Sequence, residues 1–448
     1  KALKFHAWDK NASVGFDLRD LYKQTKDAEE TYRSLLENMQ DLPQGVNLED
    51  ILGKAQEENQ FTGDGVSAEE VYKEYRKWLH IPDTSVIDII YGTIIANRLQ
   101  GDPLWLFLVA PPGFTKTEFL QSISGAPRIE SVSTLTSHAL ISGINLAGGQ
   151  DPSLIARLNE RILVIKDFTT ILKINQTERE ELFGILRDVY DGEITKIFGH
   201  MQRHYISRFG IIAGVTPAIE VVLEDEAALG ERFMRYELKL PDSLDEQLNY
   251  LRRAVGNVTK EKEMRESLKA LGTRCLNHSF NTEVTIDDVL HEKILHCALF
   301  TSMLRGSVAR DKYSKEVTHR PFKEIATRLS KQFIKLLYGI GKFRGKELID
   351  ESEYAILKKL AKSTVPKRSE DLICKMINAG VNRYFSLQEL AAFSRLPNST
   401  TARVIENMHM LGVLKKNQIS ALKHDWEFTD DFKRIIEVSE LYKQQQQQ

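Results

Sequence analysis

Six apolar residues in a row, Leu104-Trp105-Leu106-Phe107-Leu108-Val109, run directly into Ala110-Pro111-Pro112-Gly113-Phe114-Thr115-Lys116-Thr117, and a helix-compatible stretch from Glu118 to Ser124 follows. A short continuous apolar run bounded by Pro and Gly reads as a fully buried strand. Strand, tight loop ending in Lys-Thr, then helix is the context a phosphate-binding loop requires. Backbone N–H groups and the helix N-terminus would cradle a polyphosphate, Lys116 would neutralise it, and the Thr117 hydroxyl would reach Mg2+. The loop therefore predicts binding of a nucleoside triphosphate. Thr115 stands where Gly commonly precedes the Lys, and Ala110 where Gly commonly begins the loop. A left-handed Thr115 would store roughly 1–2 kcal/mol of strain. Polyphosphate contacts could offset that, so weakened binding is expected rather than none.

The 448 residues allow two to four domains and an ample core. With 42% hydrophobic and 28% charged residues and a formal net charge of −2, the composition neither supports nor excludes a nucleic-acid partner, because a local basic patch would suffice. Cys275, Cys297 and Cys374 lie far apart and read as reduced, buried thiols of a cytoplasmic protein. No apolar run approaches a membrane span, and no signal peptide is evident. The chain opens at Lys1 without Met, which suggests a processed, truncated or longer product. The run Gln444 to Gln448 reads as a disordered tail.

Residues 1–80 read as a helical N-terminal region, with helical periodicity at Leu18–Met39, Leu48–Glu58 and Ser67–Trp78, the last opened by a Ser67/Glu70 capping box. Residues 81–242 alternate strand and helix, as in a parallel α/β sheet. After a helix Val86–Leu99, the strands are Leu104–Val109, Arg161–Asp167 and Phe209–Val215, with a helix Glu178–Tyr190 and a β-hairpin Gly192–Arg208 between the last two. Residues 243–365 are helical, and Ser363 to Arg368 reads as a linker. The remainder, 366–448, runs helix, short strand, helix, a turn at Leu396-Pro397-Asn398, a third helix Ser399–Leu411, then an alternating segment. That is the order of a winged helix-turn-helix. Two further patterns carry little: His200 and His204 do not converge on a metal from a strand, and Cys275, His278, His296 and Cys297 fit no standard zinc spacing. GTP is disfavoured, since no Asn-Lys-x-Asp motif follows.

With these motifs in order, residues 85–365 resemble the AAA+ ATPases, closest to the branch with a β-hairpin before sensor 1, such as the MoxR-type and minichromosome-maintenance proteins. The resemblance implies a P-loop α/β core with a helical lid, ATP and Mg2+ as ligands, and Ala110 to Thr117 as the nucleotide loop. It places the second motif at Leu163-Val164-Ile165-Lys166-Asp167-Phe168. The family carries an Asp–Glu pair there, one acid holding Mg2+ and one activating water; this chain offers Asp167 alone, which could take either position. General-base help is worth about 10²–10⁴-fold in rate, so its loss predicts slow turnover. By the same resemblance Thr216 is sensor 1, contacting the γ-phosphate or attacking water. Arg232, with Arg235 as second choice, is the arginine finger that reaches a neighbour's γ-phosphate, a contact worth roughly 10³–10⁵ in related systems. Arg328 is sensor 2. A finger of that kind implies a homo-oligomer, a hexameric ring or spiral.

The candidate recognition helix carries Thr400, Thr401, Arg403, Asn407 and His409, with Lys415 and Lys416 at the start of the wing. These side chains, and Lys196 and Arg203 on the hairpin, are the expected DNA contacts. Glu406, Asp425, Glu427, Asp430 and Asp431 dilute that field. The function expected is an ATP-binding oligomer acting on DNA, a helicase or helicase-like replication factor of a bacterium or mobile element. The alternatives are a nucleotide-gated DNA-binding platform with little turnover and a protein-remodelling ATPase.

Overall fold

The computed structural model describes residues 4–6, 39–41, 65–146, 150–199, 201–220, 232–306, 308, 310–311, 316–318, 321, 324–418 and 424–442. Its contacts divide the chain into Lys1–Asn59 and Gln60–Gln448. In the first unit, β1 (Lys4–His6) pairs antiparallel with β2 (Met39–Asp41), Phe5 opposite Gln40. The helices expected at Leu18–Met39 and Leu48–Glu58 lie outside the described residues, apart from Met39, which belongs to β2. The tail from Gln444 also lies outside them.

The second unit opens with α1 (Ala68–Trp78), not a separate N-terminal region. Its capping box between Ser67 and Glu70 is formed, acids fill its first turn and Arg76 and Lys77 its last, which suits the helix dipole. The buried face of α1 stacks Tyr75 on Phe119 at 5.6 Å. Helix α2 (Ser85–Ala96) is buried on every side. It packs on α10 (Thr327–Arg344) so closely that a Cβ on Gly339 would lie 2.1 Å from the carbonyl oxygen of Gly92. Glycine is required there by the approach of two backbones.

The central sheet contains β3 (Trp105–Val109), β4 (Ile129–Val132), β5 (Ile162–Ile165), β8 (Gly210–Val215) and β9 (Phe233–Glu237). Their order is β4-β5-β8-β3-β9, and every pairing is parallel. Strand β3 shows why its sequence is apolar without a break. Leu104, Leu106, Leu108 and Ala110 enter one hydrophobic cluster, whereas Trp105, Phe107 and Val109 enter the other. Both faces are covered, so both alternating sets must be apolar. Helix α3 (Lys116–Ile123) follows β3; α4 (Ser137–Leu140) and a 3-10 turn (Leu154–Arg157) precede β5. Helices α5 (Thr169–Leu172) and α6 (Gln176–Tyr190) lead to an antiparallel hairpin, β6 (Glu193–Phe198) and β7 (Met201–Ile206).

Beyond β9 come α7 (Leu244–Gly256), α8 (Glu261–Leu276), α9 (Asp288–Arg305), α10 and α11 (Glu351–Thr364). Arg344 ties three of the inner helices together: its Nε and Nη2 donate to Asp88 at 2.7 and 2.9 Å and its Nη1 to Glu353 at 2.6 Å. Both carboxylates are fully buried. The expected linker is only a break at Val365 and Pro366, since Thr364 is buried and bonded to β9, and α12 (Lys367–Ala379) starts at once. The C-terminal part adds α13 (Leu387–Ser394), α14 (Asn398–Met410), α15 (Asp430–Ser439) and a three-stranded antiparallel sheet. The order of that sheet is β10-β12-β11, from β10 (Phe385–Ser386), β11 (Leu414–Gln418) and β12 (His424–Phe428). Cys275 and Cys297 are buried and Cys374 only half-buried; all three are free thiols. No described helix is long and apolar enough to cross a membrane.

Candidate functional site

Parallel strands carry their ligands beyond their carboxyl ends, and three such ends meet here. The Ala110 N–H donates to the Val215 carbonyl at 3.1 Å, and the Phe168 N–H to that of Gly214 at 2.7 Å. This lacing sets the loop 110–115, the segment Lys166-Asp167 and Thr216 side by side. The left-handed residue of the loop is Gly113, at φ +79°, and a Cβ there would meet nothing within 4 Å. Thr115 has φ −60° and ψ 2°, so the strain considered for it is not incurred. It sits at the N-cap of α3 without a side-chain capping bond, leaving backbone donors of the first turn to other partners.

Lys116 is only 8% exposed and folds back on its own loop, donating to the carbonyls of Ala110 at 3.0 Å and Pro111 at 3.3 Å. Burial pushes its ammonium below the ordinary lysine range, and the Asp167 carboxylate opposes that shift. Gly214 makes the room: a Cβ there would come 2.8 Å from the Lys166 carbonyl and 3.0 Å from Leu120, with the Lys116 Cε at 3.7 Å. Asp167 is exposed, and one of its oxygens accepts from the Thr169 N–H at 3.0 Å. The Thr169 hydroxyl lies 3.3 Å from that of Thr216 and accepts from the Thr216 N–H at 3.1 Å. Thr117 is exposed on the first turn of α3. Lys116, Thr117, Asp167 and Thr216 are therefore brought to one cleft.

Three of the arginines are not. Arg328 lies at the start of α10, its guanidinium 5.6 Å from the centre of the Tyr190 ring. Arg232, at the foot of β9, lies 5.4 Å from the same ring and 3.7 Å from Asp191. Tyr190 meets Trp105 edge-on at 5.0 Å, at the first residue of β3. Burial pushes its hydroxyl up to about 12. The five residues of β3 separate this pair from the loop by about 15 Å. Arg328 thus stands at the other end of the sheet from the loop 110–115, not beside it as the sensor 2 expectation requires. Arg235 is inside β9, 5% exposed, and paired with Glu220 at 3.0 Å, so it has no reach beyond its own chain.

Other groups near the loop were not legible in the sequence. Arg265 of α8 grips Glu118 of α3 with two nitrogens at 2.9 and 3.2 Å. Tyr250 of α7 sits 5.2 Å from Phe114 of the loop and 4.8 Å from His80. These contacts join residues far apart in sequence, and no local spacing announces them. Strand β9 had a signal, the apolar residues around Arg235, which the finger reading obscured.

The expected DNA contacts are largely engaged within the chain. Lys196 is paired with Glu181 at 2.6 Å. Arg203 donates to the carbonyls of Ser142 and Ile144 and to Asn145, and lies 3.5 Å from Asp151. Lys415 is 3.4 Å from Glu427, and Lys416 lies over Trp426. On α14, Asn407 and Glu406 accept from Arg310 at 2.7 and 2.8 Å. Arg403 is exposed. His200 lies outside the described residues.

No protein-family model matches the sequence, and no curated protein does. Among solved structures, the chain is similar to a Cytophaga hutchinsonii protein named a "putative ATPase", at 13% identity and a TM-score of 0.40, over 70% of this chain and 88% of that one. At that score the likeness carries no argument, and the site rests on its own geometry.

Proposed function

We propose that this chain binds Mg2+-ATP at the end of β3 and is an ATPase of the AAA+ type, working as a homo-oligomer on DNA. The observation that carries the reading is Lys116, a buried ammonium held on loop carbonyls at the uncapped start of α3, with Asp167 and Thr216 on the neighbouring strand ends. The residues fit a triphosphate: the loop is open beyond Gly113, and Lys116 has only carbonyls to exchange for phosphate oxygens. Thr117 and Asp167 would hold Mg2+, which when bound draws charge off the phosphates. Thr216, held by its bond to the Thr169 hydroxyl, would orient a water or the terminal phosphate. Arg232 of a neighbouring copy would supply the remaining positive charge, in a ring or spiral. The C-terminal helices and three-stranded sheet fit a winged helix-turn-helix, and the assembly acts as a helicase or helicase-like factor.

One observation favours a second reading, a nucleotide-gated switch with slow turnover. Asp167 is the only acid between the end of β5 and Glu178, and Glu118, the acid next to Thr117, is occupied by Arg265. ATP hydrolysis by the purified chain, with and without DNA and with Lys116→Ala as control, separates the two. Turnover that rises with DNA and vanishes in the variant supports the motor. Nucleotide-dependent DNA affinity without turnover supports the switch, and absence of ATP binding overturns both.

A further inference from the structure

A cavity of about 630 Å³ opens between the C-terminus of α1 and the helices α7 and α8. Lys77, Arg252, Arg253 and Lys260 line it, with Glu263 as the one acid. The walls are joined by Arg253, which donates to the Lys77 carbonyl at 3.1 Å, and by Asn257, which donates to that of Trp78 at 2.6 Å. Lys77 is paired with Glu74, but Arg252, Arg253 and Lys260 meet no carboxylate within ion-pairing distance among the described residues. By contrast, Lys196, Arg203 and Lys415 are all neutralised by their own chain. A concave wall of uncompensated cations concentrates positive potential and selects an anion. The cations come from three elements and surround the cavity instead of converging on one point. That spread suits a run of phosphodiesters better than one terminal phosphate.

We infer that this pocket binds the phosphate backbone of single-stranded nucleic acid, without sequence preference, through Arg252, Arg253 and Lys260. Its volume is that of a small-ligand site and admits a few nucleotides of strand, not the body of a duplex. Tyr250, two residues before Arg252, touches Phe114 of the nucleotide loop, so a strand that draws on α7 also acts on that loop. The inference rests on the nucleic-acid part of the function proposed above and needs no nucleotide.

The test is fluorescence anisotropy of the full chain with a labelled oligo-dT single strand across a salt series. Single strands give a slope in log K against log [salt] of about −0.7 per neutralised phosphate, so three contacts contribute about −2. Replacing Arg252, Arg253 and Lys260 together by Ala is expected to remove that increment and to weaken binding at least tenfold at low salt. The Arg252→Lys/Arg253→Lys variant should keep the slope, and circular dichroism should show all variants folded. Lys262→Ala, which removes an exposed charge of α8 that does not line the cavity, should leave strand binding unchanged. Wild-type affinity and slope in the triple variant would overturn the pocket alone. Absence of strand binding by the wild-type chain would overturn the nucleic-acid reading with it. Equal competition by inorganic pyrophosphate or by a blunt duplex would show that the pocket is not a single-strand site. Mg2+-ATP binding, measured on the same samples, reports the nucleotide site separately.

Discussion

Replacing Lys116 by Met tests the nucleotide site most directly, because Met keeps the buried stem and removes only the charge. The ammonium donates to the Ala110 and Pro111 carbonyls at 3.0 and 3.3 Å and must give up those bonds to reach phosphate. Both sets of bonds share the charged donor, so what phosphate adds is the charge of the acceptor, and losing the ammonium should cost about one hydrogen bond to a charged group, about 1.5–3 kcal/mol, or roughly 10- to 150-fold in Kd. Fold stability should change little. Two carbonyls lose their donor, but an ammonium held down by burial is removed. Isothermal titration with Mg2+-ATP reads the affinity, and urea denaturation the stability. A pH series adds a sign. Since burial lowers the Lys116 pKa, its proton leaves earlier than from an ordinary lysine, and ATP affinity should fall as pH rises through that lowered value. The Met variant should lack this fall. A variant that binds within twofold of the wild type refutes the assignment of Lys116, and a wild-type chain that gives no heat refutes the site.

Arg232→Ala should abolish oligomer-dependent ATP turnover while leaving ATP affinity within about twofold, because Arg232 stands at the far end of the sheet from its own loop; equal loss of binding would rule out a finger. Gly214→Ala should cost about 1–3 kcal/mol by urea denaturation and weaken ATP binding, since the new methyl would press on Lys166 and Leu120 beside Lys116; unchanged values in both would show that the strand end is not close-packed. Arg344→Met should destabilise the fold by about 3–5 kcal/mol, because it leaves the fully buried Asp88 carboxylate without its cation and with only the Tyr72 hydroxyl, whereas Glu353 keeps Lys346; a loss under 1 kcal/mol would contradict that network. Burial pushes the Lys335 ammonium down to about 8 while it donates to the Gly101 and Asp102 carbonyls. Between that value and the unfolded lysine value the unfolded chain holds more protons, so wild-type stability should rise with pH there relative to Lys335→Met; parallel curves would show the ammonium to be solvated.

Much of the core was legible because its signals are local. The unbroken apolar run of β3 requires a strand covered on both faces, and Ser67 with Glu70 fixes the start of α1. The hairpin and the helices after β10 also follow from alternation and spacing within a few residues. Strand β9 was obscured because Arg232 and Arg235 drew attention as charges, whereas burial and pairing with Glu220 turn Arg235 into a structural cation. Arg328 was assigned by its position at a helix start, and a helix start does not state which end of a sheet it will reach.

What the sequence determined by itself was the parallel α/β core and the loop from Ala110 to Thr117, because apolar period, Pro, Gly and Lys-Thr act over eight residues or fewer. Tertiary structure decided which charges remain available. Glu118 is captured by Arg265, Lys196 by Glu181 and Asn407 by Arg310, while Arg252, Arg253 and Lys260 are left facing a cavity. Such pairings join distant residues: Arg265 and Glu118 are 147 positions apart, and Arg344 and Asp88 are 256. A charge is neutralised by whatever the folded chain brings within a few ångströms of it, and that neighbour has no fixed place in the sequence.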